Sequence, residues 1–145
     1  MKVLTLTQPW ATLVATGDKQ IETRSWSTSY RGELAIHAAK GFPTWAKSLC
    51  YDACFKECLQ FAGYKDAASL PTGVIIAVCQ LVDVVRVTDE ALIPKGKELV
   101  FGDYSLGRYM WKLANVKKLD RPITAKGSLG LWNFDMPTPE PEPAS

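Results

Sequence analysis

Histidine is scarce in this chain, and the cysteines lack the spacing of a common metal site. His37 is the only histidine among the 145 residues. No C-x-x-C pair occurs among the four cysteines, which are Cys50, Cys54, Cys58 and Cys79. Common zinc sites use other spacings than the repeated interval of four found here. We therefore expect no metal and no organic cofactor, and we interpret the cysteines as small apolar side chains in a reducing compartment.

The chain also lacks a long hydrophobic run. No apolar stretch approaches the roughly 20 residues that a membrane helix needs. The first residues contain neither a long apolar core nor a small-residue cleavage site, which predicts a cytoplasmic protein without a membrane partner. Hydrophobic residues make up 47% of the chain and charged residues 22%, as in an ordinary globular domain. The formal net charge of +2 permits contact with a phosphate backbone without requiring it.

The pattern of apolar residues predicts a small α+β domain with more strands than helices. Strands are predicted at residues 3–7, 19–26, 32–38, 74–87, 109–119 and 129–134. Helical spacing predicts a short helix at 9–16 and one long helix at 43–62, and 89–102 has the composition of a loop. The short strands favour a small, mostly antiparallel β-barrel with two appended helices. We place this domain at 1–134 and predict a disordered Pro/Glu-rich tail at 135–145.

Three charged residues are concentrated between the first predicted helix and the strand that follows it. Lys19 lies at the turn, and the two-residue period of a strand places Glu22 and Arg24 on one face. If that face looks into a barrel, three charges converge on a cavity and must bond one another or a ligand. Lys19 and Arg24 could hold a phosphate, and Glu22 could accept a proton or bond the amino edge of a base. A salt-bridged cluster that only ties the helix to the barrel explains the same pattern.

These residues belong to a longer series of motifs. The first part of the chain contains Gln8-Pro9-Trp10-Ala11, the pattern G-x-K-x-x-E-x-R from Gly17 to Arg24, Ser25-Trp26, Tyr30-Arg31-Gly32 and Ile36-His37-Ala38. The later part contains Pro71-Thr72-Gly73, Gly102-Asp103-Tyr104, Gly107-Arg108-Tyr109-x-Trp111 and Gly127-x-x-Gly130-Leu131-Trp132. In this combination the sequence from Lys2 to about Phe134 resembles the ASCH domain family, named after activating signal cointegrator-1.

The resemblance implies a β-barrel related to the PUA fold, which occurs in RNA-modifying enzymes and in readers of modified bases. Members are proposed to bind RNA or other nucleic acid in a cleft lined by the G-x-K-x-x-E-x-R motif. One bacterial branch hydrolyses 4-acetylcytidine and related amides with the motif lysine, which falls on Lys19. That branch has a threonine where this chain has Glu22, and Glu90 is a candidate for its third catalytic residue. Another member is described as a ribonuclease, but a lone His37 cannot form the two-histidine pair that many ribonucleases use.

The remaining candidate binding residues come from the same motifs. Aromatic rings can stack on unpaired bases, and we expect such a surface at Trp26, Tyr109 and Trp111. His37 has two interpretations. Its side chain could point inward and approach Glu22, or it could be a hydrogen-bonded histidine with a structural role. The predicted nucleic-acid-binding residues are Gln8, Trp10, Lys19, Glu22, Arg24, Ser25, Trp26, Arg31, His37, Arg108, Tyr109 and Trp111.

The sequence thus favours a domain that binds single-stranded RNA or a modified nucleotide, with DNA left open. Single strands are favoured over duplexes because bases must be unstacked before aromatic side chains can read them. One alternative is a hydrolase of RNA or of a modified nucleoside, with Lys19 as base or electrophile and Glu22 as its proton partner. A further alternative is a protein-interaction module in transcription or RNA metabolism, to which the Pro/Glu-rich tail contributes.

Overall fold

A computed structural model describes residues 1–137 of the chain, so most of the predicted tail lies outside the described residues. The strands are β1 (Lys2–Leu6), β2 (Ile21–Arg24), β3 (Gly32–Ala38), β4 (Val74–Arg86), β5 (Tyr109–Thr124) and β6 (Leu131–Asn133). The helices are α1 (Trp10–Ala15), α2 (Thr44–Leu49), α3 (Ala53–Phe61) and α4 (Lys97–Val100), with 3-10 turns at Ala67–Ser69 and Glu90–Leu92. None of the helices within these 137 residues is long and apolar enough to cross a membrane.

The strands form one curled sheet in the order β2-β5-β4-β3-β1-β6. β1 and β3 run parallel, with Lys2 opposite Leu34, and the other neighbouring strands are antiparallel. The curl makes the sheet a half-barrel, with β2 at one edge and β6 at the other. This confirms the predicted α+β class and the mostly antiparallel, barrel-like sheet.

The longest strand extends beyond its predicted end at residue 119. β5 continues to Thr124, and its pairing with β4 shifts between Ile75 opposite Ile123 and Ala77 opposite Lys118. Residues 119–122 therefore bulge out opposite a single residue of β4. A residue in a bulge does not have to donate a backbone hydrogen bond to the neighbouring strand. The strand therefore tolerates Pro122, which on its own predicts a turn.

The prediction of one long helix at 43–62 is wrong, because two helices form there. α2 and α3 are separated at Asp52, whose backbone is extended. The buried residues on either side of the break, Cys50 and Phe55, are five positions apart, whereas a helical stripe needs three or four. Cys50, which follows α2, and Phe55 and Leu59 of α3 then pack in the same buried cluster. With α4 in the segment predicted as a loop, the described residues contain four helices rather than two.

Two buried clusters hold the helices against the sheet. Inside the curl, Leu4, Leu34 and Trp111 are at most 1% exposed and pack with residues of α1. A second cluster on the other side of α1 joins Phe55 of α3 to Phe101, which follows α4. Burying one such side chain contributes on the order of 1.5–3 kcal/mol. The second cluster therefore holds Phe101, and with it the segment after α4, against α1 and α3.

Candidate functional site

A cleft of about 600 Å³ opens between β2, at one edge of the sheet, and the end of β1. Its walls come from the end of β1, the start of α1, β2 with the residues after it, α2, and the segment from residue 100 to residue 108. The predicted site residues that line it are Trp10, Glu22, Arg24, Ser25, Trp26 and Arg108. The cleft thus collects side chains from distant parts of the sequence around the G-x-K-x-x-E-x-R motif.

Arg24 connects β2 to β1 across this cleft. Its Nη2 donates to the carbonyl oxygen of Thr5 at 2.8 Å and to Oε2 of Glu22 at 3.0 Å. The shared face of Glu22 and Arg24 is the one that the two-residue period of the strand predicts. Nε of Arg24 is buried and has no hydrogen-bond partner among the described residues. Because a guanidinium carries five N–H donors, Arg24 retains donor capacity for a ligand.

Lys19 lies behind the cleft and does not line it. Its side chain is fully buried, and its Nζ donates to the carbonyl oxygen of Phe101 at 2.8 Å. The same atom lies 3.7 Å from Oε1 of Glu22. Burial lowers the pKa of Lys19, and the carboxylates of Glu22 and Glu98 oppose this shift. The three motif charges therefore form a row from Lys19 through Glu22 to Arg24, and its last two members reach the cleft.

Arg108 supplies a second cation to the wall. Its Nη2 donates to the carbonyl oxygen of Thr23 at 3.1 Å. Its Nε lies 3.7 Å from Oδ2 of Asp103 and forms no hydrogen bond within the described residues. Hydrogen bonds from Ser105 hold the pKa of Asp103 below its usual value, so this carboxylate is ionised at neutral pH. The cleft wall thus contains two arginines, and the buried Nε of each makes no hydrogen bond within the described residues.

Tryptophan side chains form the apolar part of the wall. The ring centroids of Trp10 and Trp45 are 5.8 Å apart at an angle of 46°, and Trp45 is 62% exposed. Trp26 packs edge-on against Trp111 at 4.8 Å and accepts a hydrogen bond from its Nε1 at 3.3 Å. Because Trp111 is fully buried, it supports Trp26 from the core and offers no stacking surface of its own.

His37 lies outside the cleft and is fully hydrogen-bonded. Its Nδ1 is 3.1 Å from Oγ1 of Thr5, and its Nε2 is 2.7 Å from the carbonyl oxygen of Ala125. Thr5 Oγ1 also accepts a hydrogen bond from Nε1 of Trp132 at 3.0 Å, which leaves its own proton for His37 Nδ1. Both ring nitrogens of His37 thus have hydrogen-bond partners in the fold. His37 is therefore a structural histidine that does not reach Glu22.

Three further predicted residues also lie outside the cleft. Gln8 is buried, accepts the backbone N–H of Thr12, and donates to the carbonyl oxygen of Pro71, so it holds the start of α1 in place. Arg31 is exposed and donates to two backbone carbonyls close to it in sequence. Tyr109 packs against the core inside the curl. The structure therefore places these three side chains away from the cleft.

Sequence reasoning missed several parts of the wall. Thr5 and Thr7, Trp45 and the segment 100–103 all line the cleft. The sequence motif that begins at Gly102 could have indicated that the segment 100–103 belongs to the site. A Cβ atom at Gly102 would lie 2.7 Å from a ring carbon of Tyr104, so packing excludes a side chain there.

The side chains of the cleft carry guanidinium, carboxylate, hydroxyl and indole groups. Within residues 1–137, no group of three or more His, Cys, Asp or Glu side chains is arranged to hold a metal ion. The four cysteines are free thiols, two of them buried and two half-buried. Hydrogen bonding, charge and ring stacking are therefore the interactions that the cleft offers to a ligand.

Comparison with known proteins gives one family and one fold. A sequence model of the ASCH domain matches residues 4–123. The crystal structure of an ASCH protein from Zymomonas mobilis is 15% identical, with a TM-score of 0.52 over 85% of this chain and 72% of that one. The structure of a tyrosine-to-phenylalanine mutant of the Zymomonas mobilis protein is 16% identical, with a TM-score of 0.52 over 85% of this chain and 74% of that one. No curated protein matches the chain.

Proposed function

Because this chain belongs to the ASCH domain family, which is generally considered RNA-binding, we propose that its cleft binds single-stranded RNA or a modified nucleotide. One observation carries the proposal. Arg24 and Arg108 line a cleft that three tryptophans, Trp10, Trp26 and Trp45, also line. Guanidinium groups bind phosphate, and indole rings stack on bases, so a nucleotide matches both.

The two arginines are held in position before any ligand arrives. Arg24 is anchored to the carbonyl of Thr5, and Arg108 is anchored to the carbonyl of Thr23. Side chains that are already ordered lose little conformational entropy on binding, which favours affinity. Contacts to phosphate position a nucleic acid without reading its sequence. We therefore expect binding that depends on salt and discriminates weakly between sequences.

The aromatic part of the cleft favours an unpaired base. Trp45 is 62% exposed, so one part of its ring is open to a ligand at the mouth. A volume of about 600 Å³ is that of a small-molecule site, comparable with one or two nucleotides. A base can reach an aromatic ring only after it leaves its own stack. Single-stranded RNA and free modified nucleotides therefore fit the site better than a duplex.

A hydrolase is the second candidate, and one observation favours it. Burial lowers the pKa of Lys19, which is a property of lysines that act as bases. Lys19 is nevertheless bonded to Phe101 and does not line the cleft. A bound substrate would reach its Nζ only if this wall moved. The static geometry therefore supports binding better than turnover.

Fluorescence anisotropy with a labelled, mixed-sequence RNA of about ten nucleotides tests the proposal. The wild-type chain should bind it, and binding should weaken as salt is raised from about 50 to about 200 mM. Arg24→Met should weaken binding by about tenfold or more. Arg31→Met removes the same charge outside the cleft and should change the affinity by less than about threefold. Equal losses in the two variants would place the binding site elsewhere.

The same protein samples test the alternatives. DNA of the same sequence and the corresponding RNA duplex are parallel binding probes. A panel of N-acylated and methylated nucleosides, incubated with the chain and separated by chromatography, reports turnover. A product that forms with the wild type and is lost in both Lys19→Met and Glu22→Gln would replace the binding proposal by the hydrolase.

A further inference from the structure

Residues 97–103, here called the strap, form one wall of the cleft and are joined to the start of β2 by a row of contacts. The contacts are Lys97 Nζ with Asp18 Oδ1 at 3.0 Å, Glu98 Oε1 with the Gln20 backbone N–H at 2.8 Å, Phe101 O with Lys19 Nζ at 2.8 Å, and the Asp103 backbone N–H with Thr23 Oγ1 at 3.1 Å. Four residues of the strap, 100–103, line the cleft. The row of contacts therefore determines where this wall stands.

The contacts of the row differ in burial, and the one made by Lys19 is the most buried. The side chain of Lys97 is 52% exposed, and exposed ion pairs contribute little to stability. The Lys19 side chain is 0% exposed, and the residue that accepts its hydrogen bond, Phe101, is 1% exposed. A hydrogen bond from a charged donor in such an environment is among the stronger ones. The position of the strap therefore depends more on Lys19 than on its surface contacts.

We propose that Lys19 is a positioning residue, whose ammonium group fixes the strap at the separation from Glu22 and Arg24 at which the cleft takes its ligand. This inference deepens the proposed function and rests on it. Lys19 does not line the cleft, so it acts through Phe101 on one side and Glu22 on the other. The three charged positions of the G-x-K-x-x-E-x-R motif then have separate tasks. The lysine places the wall, the glutamate balances both cations, and the arginine contacts the ligand.

A neutral side chain of the same length could not perform this task. Methionine would fill the space of Lys19 but would leave the carbonyl of Phe101 without the donor that the structure gives it. A buried carbonyl that loses its only donor is costly, so the backbone of the strap would shift towards water. Glu22 would keep Arg24 as its counter-ion. The expected consequence is a displaced or mobile wall on a domain that still folds.

The test compares Lys19→Met with Lys97→Met, which removes an exposed cation from the same row of contacts. Binding is measured by anisotropy with the RNA of about ten nucleotides, and strap order by amide hydrogen exchange of residues 99–103. For Lys19→Met we expect affinity to fall by about fivefold or more and exchange of the strap to rise by about tenfold. Lys97→Met should change both by less than about twofold. A cooperatively folded Lys19→Met that binds RNA within about twofold of the wild type would overturn the inference.

A third variant separates this inference from the proposed function. Arg24→Met should weaken RNA binding while the exchange of the strap stays at the wild-type rate. If the wild-type chain binds none of the nucleic-acid probes, the proposed function fails. The exchange rates of Lys19→Met and Lys97→Met then decide by themselves whether Lys19 holds the strap, and equal rates overturn that role.

Nuclear magnetic resonance of the wild-type chain keeps the test independent of a variant that fails to fold. The Lys19 ammonium and the Gly102 amide, which follows the bonded carbonyl, should titrate with a common midpoint below that of exposed lysines. The charged groups facing Lys19 are Glu22, Arg24 and Glu98. Burial raises the pKa of Tyr104, so its titration comes later. A Gly102 amide chemical shift that stays constant while Lys19 titrates would overturn the inference.

Discussion

Nη2 of Arg24 and the carbonyl oxygen of Thr5 lie 2.8 Å apart, and this hydrogen bond joins β2 to β1 through a side chain. In the described sheet, β2 pairs along its backbone with β5, whereas β1 pairs with β3 and β6. The two strands therefore face each other across the open seam of the half-barrel, and the cleft occupies that seam. The residue that bridges the seam is also one of the two arginines that line the cleft.

Loss of Arg24 should reduce the salt dependence of RNA binding. Each phosphate that a protein contacts on a single strand contributes about −0.7 to the slope of log K against log salt. We expect the slope for Arg24→Met to be smaller in magnitude by about this amount, and the slope for Arg31→Met to match the wild type. Anisotropy titrations at several salt concentrations measure both. Weaker binding with an unchanged slope would assign Arg24 to a carbonyl or a base in place of a phosphate.

Removal of the exposed indole ring of Trp45 should weaken binding with little effect on stability. Stacking of one base on an aromatic ring contributes about 1–3 kcal/mol, so Trp45→Ala should lose a free energy of binding in this range. Trp45→Phe should recover part of it. Phe61, which is 96% exposed and outside the cleft, provides the matched control Phe61→Ala. An equal affinity of Trp45→Ala and Phe61→Ala would exclude Trp45 as a stacking platform.

A methyl group at Gly127 should destabilise the domain through His37. A Cβ atom there would lie 2.9 Å from Cε1 of His37 and 3.2 Å from Oγ1 of Thr5. Relieving such a clash in a packed region costs about 1–3 kcal/mol, which urea unfolding of Gly127→Ala should reveal. Gly41→Ala is the control, because a Cβ atom at Gly41 meets nothing within 4 Å. Similar unfolding midpoints for the two variants would contradict the close packing around His37.

The buried thiol of Cys79 should make the domain less stable at alkaline pH. Burial raises the pKa of Cys79 to about 12, from 9.0 for an unperturbed thiol. The unfolded chain therefore releases this proton first, and the contribution to the free energy of unfolding falls as pH rises above about 9. Urea unfolding at several pH values should show a shallower decline for Cys79→Ala than for the wild type. An identical decline in the two proteins would show that Cys79 does not contribute.

Alkylation of the native protein should follow the exposure of the four thiols. Iodoacetamide reacts with the thiolate, so a raised pKa and burial both slow its reaction. At about pH 8.5 we expect half-buried Cys54 to react first and Cys79 to react only when the chain unfolds in denaturant. Peptide mass spectrometry measures the extent at each position. Native-state labelling of Cys79 at the rate of Cys54 would contradict the burial described above.

Local sequence patterns were sufficient where local geometry decides the structure. The alternation of residues predicted β3 with its observed bounds and placed Glu22 and Arg24 on one face. Both results depend only on the two-residue period of an extended backbone. The motifs were likewise sufficient for the family, which the match over residues 4–123 confirms.

Contacts between distant segments could not be predicted in this way. Nothing near Lys19 in sequence indicates that its ammonium turns away from the cleft towards Phe101, which is 82 positions later. Trp45 of α2 lines the cleft, although no residue near it in the sequence predicts this. A shift of one residue in an apolar stripe is hard to see in the sequence, so periodicity alone did not show the break between α2 and α3.

A sheet bridged by one arginine side chain behaves differently from a barrel sealed by a full ladder of backbone bonds. The Arg24 guanidinium can change partner without breaking a backbone hydrogen bond between strands. A phosphate bound at Arg24 would lie where β2 meets the end of β1. Since ligands that bind only the folded state stabilise it by mass action, thermal unfolding doubles as a binding assay for this domain. The Arg24 guanidinium thus bonds β2 to β1 and also lines the cleft.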